Sequence, residues 1–467
     1  MIERGISMRP SVTAKIALWS APLLFVAVPA VSPLMAAAQD APGAPALTVA
    51  QQAIVTKARQ FGATDIKVQP APGGGFILGG KLEGDQFAVA FPANWNGKAL
   101  LFAHGYSTPG SPIAVSENPI GKGTGAGGML AAAYEDGLAA GHSAYDKAGM
   151  GVETATINTL RLRNFVVKLG ARRVYVSGAS MGGNIVLSLI EQHPRAFAGG
   201  LAVCGVTNGW ESLFGQLVDM RVTYNYLTRG TPYALPGEQD ATRSALPTTP
   251  PSGDTTNGEA YRWAQIGKIA TPILALFRAA AADPNGPEAR IARQVAAVGG
   301  FEVDAASVAF PLVTATLGAD DLAATFGGQI IDNSKKTYVL PEMNAEELAA
   351  FNKGVQRIRA DRGAVANARR WHQATGRFRV PLITMHNRID SLVPYSQSEA
   401  LGRIVRNARN DRLLVQYGVP ATRAPLPVGG VEGYTHCGFT PEQGATAWRT
   451  LYNWVETGRR PSPDAVK

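Results

Sequence analysis

Gly178-Ala179-Ser180-Met181-Gly182 spells G-x-S-x-G between a strand-like run, Arg173–Ser177, and an apolar helical run from Met181 to His193. In that setting the strand must turn sharply into the helix. A side chain at either glycine would strike neighbouring backbone, and the turn pushes the serine oxygen out above the sheet edge. A serine hydroxyl attacks only when a base takes its proton. Of the six histidines, His142 falls inside a strand pattern and His193 at a helix end, both structural readings. His104 ends an early strand, His372 lies in a block of different rhythm, and His386 follows a strand. His436 lies in Gly433-Tyr434-Thr435-His436-Cys437-Gly438, between the last strand and the last helix, and is the expected base. Asp390, five residues after Met385, can orient the imidazole and stabilise its charged form. The chain order is then serine, aspartate, histidine. Two backbone N–H groups are needed for the developing oxyanion, and Met181 and Tyr106 are the candidates. Met181 follows the nucleophile at a helix start, where the dipole helps. Such a set performs acyl transfer.

The elements that must hold these groups alternate. Strand patterns cover Phe76–Leu82, Gln86–Phe91, Lys98–His104, Leu138–Ala144, Arg173–Ser177 and Gly199–Cys204, with helices at Glu153–Leu169 and Met181–His193. Strand and helix alternating at short spacing predict a parallel sheet with right-handed crossovers. Residues 207–378 break the rhythm with apolar positions at helical spacing, which predicts a helical insertion; Asn344 with Glu347 caps a long helix through Leu348, Phe351, Val355 and Ile358. Most of its aromatics, from Trp210 to Phe277, are expected to fill the insertion's own core and some to wall an apolar pocket. The sheet resumes at Val380–Met385 and Leu413–Tyr417, with a helix near Gln397–Arg406 between them and a last helix opened by Thr440.

A positive leader (Arg4, Arg9, Lys15), an apolar run over Ile16–Val31 broken by Pro22 and Pro29, and Ala36-Ala37-Ala38 read as a signal peptide over 1–38, not an anchor. Residues 39–47 read as a linker, and Thr48 with Gln51 as a helix cap. Export to a periplasmic or secreted location is the expectation, with no integral membrane segment after cleavage. The net charge of +9 comes from scattered Lys and Arg without interleaved aromatics, which argues against a nucleic-acid partner. Gly123, Gly125 and Gly128 fit G-x-G-x-x-G, but no strand precedes them, so no dinucleotide site is expected. No cofactor and no metal site is expected, two cysteines at this separation being no zinc set.

Ala103–Tyr106, the G-x-S-x-G turn, the Asp390 loop and the His436 loop together resemble the α/β-hydrolase superfamily, on its esterase and prolyl-oligopeptidase-like side. The resemblance covers about residues 76–206 and 379–456. It implies an α/β-hydrolase fold, a mostly parallel eight-stranded sheet with a large helical cap after the sixth strand. The core would comprise 48–206 and 379–467 and the cap 207–378. The implied activity is a serine hydrolase that cleaves a carboxylic ester, with a bulky acyl, aryl or oligoester substrate, through an acyl-enzyme on Ser180. A prolyl-oligopeptidase-like peptidase is the alternative; the short leader and linker leave no room for the propeller those enzymes usually carry. His436-Cys437 also resembles the His-Cys pair of tannases and feruloyl esterases. There the second cysteine precedes the nucleophile, where this sequence has Ala179. Cys204 ends the strand after the nucleophile helix and Cys437 adjoins the base, so both should lie over one sheet edge; in an oxidising compartment a Cys204–Cys437 disulfide is expected.

Overall fold

The computed structural model describes residues 47–121, 128–251, 258–426 and 429–467. The strands are β1 (Ala63–Ala71), β2 (Gly75–Leu82), β3 (Asp85–Phe91), β4 (Lys98–Ala103), β5 (Ala139–Ser143), β6 (Arg173–Ala179), β7 (Gly200–Val203), β8 (Leu382–Asn387), β9 (Leu414–Val419), β10 (Arg423–Pro425) and β11 (Glu432–Tyr434). The first nine form one sheet in the order β1-β2-β3-β5-β4-β6-β7-β8-β9, and β10 and β11 form a small antiparallel pair. Strands β1, β2, β3 and β5 pair antiparallel; from β5 to β9 every pairing is parallel. This is the α/β-hydrolase arrangement, with nine strands in the sheet where eight were expected.

The additional strand is β1. Its side chains are mostly exposed and it carries Pro70, so it lacks the apolar alternation that reveals a half-buried strand. Counting β1, the helical insertion follows the seventh strand. Around the sheet lie α1 (Val49–Gln60), α2 (Met129–Glu135), α3 (Val152–Leu169) and α4 (Met181–Gln192), then α12 (Ser396–Asn407) and α13 (Pro441–Thr457). Between β7 and β8 come α5 (Trp210–Leu227), α6 (Gly258–Ala282), α7 (Pro287–Gly299), α8 (Ala305–Leu317), α9 (Ala319–Phe326), α10 (Ala345–Gly354) and α11 (Arg362–Arg370).

Period-two alternation sends the central strands' side chains to two cores. Ala99, Leu101 and Ala103 of β4 and Val174 and Val176 of β6 belong to one core with residues of α1, α3, α4 and α12. Leu100, Phe102 and Tyr175 face α2 and α13, where Trp448 is fully buried. The insertion has its own core around Met220, Tyr224, Ile269, Val295 and Leu312, with Trp263 and Phe277 against it. Trp210, Phe214 and Phe351 instead join the first sheet core, so insertion and sheet share apolar contacts.

Two further expectations differ. The helix capped by Asn344 and Glu347 ends at Gly354: Val355 is extended at φ −68°, ψ 141°, and Val355 and Ile358 are buried from a non-helical stretch. Helix α2 lies outside the expected elements: Met129–Glu135 follows directly on a glycine-rich segment. The expected signal peptide, linker residues 39–46, and Gly123 and Gly125 lie outside the described residues; Gly128 caps α2 at φ 70°. Among the described residues no helix is long and apolar enough to cross a membrane.

Candidate active site

The chain reverses direction across the sheet at β4: β5 lies on one side of it and β6 on the other. A crevice opens outside the carboxyl ends of the strands at such a switch point. Ser180 sits there, between β6 and α4, at φ 57° and ψ −121°. A Cβ on Gly178 would come 2.3 Å from the Gly182 carbonyl oxygen, and one on Gly182 would come 2.0 Å from that of Ala103. Backbone cannot yield at those distances, so both glycines are required for the turn that lifts Ser180.

His436 follows the β10–β11 pair, and its Nε2 lies 2.9 Å from Ser180 Oγ. Its Nδ1 lies 2.8 and 3.0 Å from the Asp390 oxygens. Asp390 Oδ1 also accepts from the backbone N–H of Leu392 and Val393, both at 2.9 Å, and Oδ2 from Cys437 N–H at 3.0 Å. Its side chain is fully buried. Burial would raise its carboxyl, but the His436 imidazole and these hydrogen bonds outweigh it and hold Asp390 below its ordinary value. An anionic carboxylate can only accept, so Nδ1 carries the proton and donates. In the neutral ring Nε2 is then a lone pair aimed at the Ser180 hydroxyl.

The expected oxyanion groups adjoin Ser180. Met181 is the first residue of α4. Gly105, the residue before Tyr106, passes so close that a Cβ there would lie 3.2 Å from Ser180 Cβ. The Tyr106 ring packs on the first core, burial raises its hydroxyl, and that hydroxyl borders Gly318.

Cys204 and Cys437 form a disulfide with Cα atoms 5.4 Å apart. Cys437 Sγ lies 3.3 Å from His436 Nε2 and 3.7 Å from Nδ1, so the sulfur rests against the imidazole. Three residues, Ser180, Cys204 and Cys437, meet here with non-glycine backbones at positive φ, the kind of strain that persists where surrounding structure over-determines it.

The other described histidines have separate duties. Burial lowers His104 and His142 to about 4, so both are neutral near pH 7; His104 stacks on Tyr145 and His142 contacts the Ser116 carbonyl at 2.8 Å. His386 is buried, contacts the Val393 carbonyl at 2.8 Å and is lowered by burial. His372 meets Glu191 at 3.0 Å.

One group invisible to sequence reasoning is Asp321 at the start of α9. It accepts from the Met150 N–H at 2.6 Å and the Lys147 ammonium at 3.3 Å. Gly149 next to it bridges Ser107, so the insertion pins the loop beyond Tyr106. No local pattern marks a contact spanning 171 residues.

No protein-family model and no curated protein matches this chain. Among solved structures, the chain is similar to feruloyl esterase B from Aspergillus oryzae, at 14% identity over 87% of this chain and 91% of that one, with a TM-score of 0.44. It is also similar to an esterase from Aspergillus oryzae at 12% identity (85% and 87% covered, TM-score 0.42). A rice cell wall degrading esterase from Xanthomonas oryzae is similar at 12% identity (77% and 91% covered, TM-score 0.38).

Proposed function

We propose that this chain is an exported serine hydrolase that cleaves a carboxylic ester through an acyl-enzyme on Ser180. The observation that carries the reading is the unbroken relay from Ser180 Oγ through His436 to a buried, anionic Asp390. His436 Nε2 takes the serine proton as Oγ attacks the ester carbonyl. The N–H groups of Met181 and Tyr106 receive the oxyanion, aided by the α4 dipole. Asp390 stabilises the imidazolium, which then protonates the departing alkoxide. Water enters, gives its proton to His436, and the second tetrahedral collapse frees the acid and restores Ser180. The cap shelters a bulky acyl, aryl or oligoester substrate from water. The disulfide and the leader of the sequence support export to the periplasm or beyond.

The test uses purified protein with p-nitrophenyl esters, aryl esters, polyester oligomers and peptides, beside a fluorophosphonate probe. The probe is expected on Ser180 alone, and Ser180→Ala should lower turnover by about 10⁴-fold or more without unfolding the chain. Labelling elsewhere, or near-normal turnover in that variant, removes Ser180 from the mechanism. Turnover of peptides above esters replaces the ester reading with the peptidase one.

A further inference from the structure

His436 hangs on a short hairpin, and a cap residue holds that hairpin. Asp304, the N-cap of α8, accepts from its own helix at Ala306 N–H (3.1 Å) and Ser307 N–H (3.2 Å). The same Oδ1 accepts from Tyr434 N–H at 3.1 Å, two residues before His436 and 130 residues away in sequence. Its Oδ2 pairs with Arg423 of β10 at 3.2 Å, and the Arg423 guanidinium lies 4.6 Å from the centre of the Tyr434 ring. The Asp304 side chain is only 7% exposed. Around this clamp, Leu274, Ala305 and Ala306 of the cap pack with Leu426, and Val431 lies against them. The fit is tight: a Cβ on Gly433 would come 2.6 Å from Ala306 Cβ and 3.0 Å from Asp304 Oδ1. The far end of α8 reaches Gly318, beside the Tyr106 hydroxyl. One helix of 13 residues, about 20 Å long, thus touches both the loop that presents the base and the loop that borders the nucleophile.

We propose that Asp304 is a positioning residue for His436: it locks Tyr434 to the start of α8, so that the cap sets the distance from Nε2 to Ser180 Oγ. The inference rests on the Ser180–His436 reading given above. An aspartate that only capped α8 would need Ala306 and Ser307, not a third N–H from the core hairpin. Because hydrolysis depends on the Ser180–His436 contact, a small displacement of His436 affects the chemical step rather than substrate binding.

The experiment measures kcat, KM and Tm of the full chain on a p-nitrophenyl ester. Asp304→Ala should lower kcat about tenfold or more with KM changed less than about threefold. Asp304→Asn, which keeps an acceptor oxygen, should recover most of kcat. Gly433→Ala should lower kcat as well, by pushing the hairpin off Ala306 while Asp304 remains. Asn344→Ala removes an equivalent cap from α10, remote from the hairpin, and should lower Tm while leaving kcat within about twofold. Full kcat in Asp304→Ala, with Ser180→Ala inactive, overturns the coupling whatever Gly433→Ala does, and leaves the serine mechanism intact. A loss of kcat in Asn344→Ala that tracks its loss of Tm overturns it too. An active Ser180→Ala overturns both readings.

Discussion

Replacing both cysteines, as Cys204→Ala/Cys437→Ala, opens a bridge between residues 233 apart in sequence. The chain-entropy relation for a loop of that size gives about 18 cal/mol/K, or about 5.5 kcal/mol at 25 °C. Strain and residual unfolded structure reduce this, so about 3–5 kcal/mol is the expected loss. A chain of 467 residues has a melting entropy of about 1 kcal/mol/K, so Tm should fall by about 3–5 °C. Activity should fall less than stability does. Without the bridge, His436 keeps both contacts to Asp390, and Asp390 still accepts from the N–H of residue 437. What goes is the sulfur packed against the imidazole, so kcat well below Tm should remain within about tenfold of wild type. Calorimetry of wild type with and without reductant, beside the double variant, reads the first quantity, and ester turnover the second. The reasoning fails if the variant melts within about 1 °C of oxidised wild type. Two alkylatable thiols in denatured, unreduced wild type would refute the bridge itself.

Gly182→Ala should abolish soluble protein or lower Tm severely, because the new methyl meets the Ala103 carbonyl; Gly215→Ala, in α5 with open space around it, should be neutral or stabilising by about 0.5–1 kcal/mol. Acid stability should depend on Glu191. Burial raises its carboxyl, but His372 and Thr375 outweigh burial and hold it below its ordinary value. The folded value being depressed, its stabilisation is complete above the unfolded value and fades as pH falls through the folded one. The Tm gap between wild type and Glu191→Gln should therefore be widest near neutrality and narrow below about pH 4.5; a gap independent of pH would show that Glu191 acts without its charge.

The parts of the fold legible in sequence were those whose signal is local. The strands buried on both faces, such as β4 and β6, read as apolar runs, and Thr48, Asn344 and Thr440 each cap a helix with the Gln or Glu three residues on. Strand β1 escaped because an exposed edge strand needs no apolar face. The α10 boundary escaped because Val355 and Ile358 keep apolar spacing while leaving the helix; burial in the core satisfies them without helical backbone. Ser180, His436 and Asp390, which the structure brings into contact, were candidates from their flanks and chain order. Asp304 and Asp321 could not, since each acts on backbone more than a hundred residues away.

The disulfide reaches the His436 loop from the strand next to the one that carries Ser180. The resemblance at His436-Cys437 places the partner cysteine before the nucleophile, where Ala179 stands. Strand β6 pairs in parallel with β7, and Ala179 is registered opposite Val203. The Ser180 N–H donates to the Val203 carbonyl at 3.1 Å, which brings the next residue of β7's chain, Cys204, beside the nucleophile turn. Cys204 then leaves the strand at φ 43°, turning its side chain away from the continuing pleat, and meets Cys437. A cysteine one strand over therefore reaches the same sulfur that a cysteine at position 179 would have to reach. The bridge thus ties the His436 loop to the end of β7, beside the turn that carries Ser180.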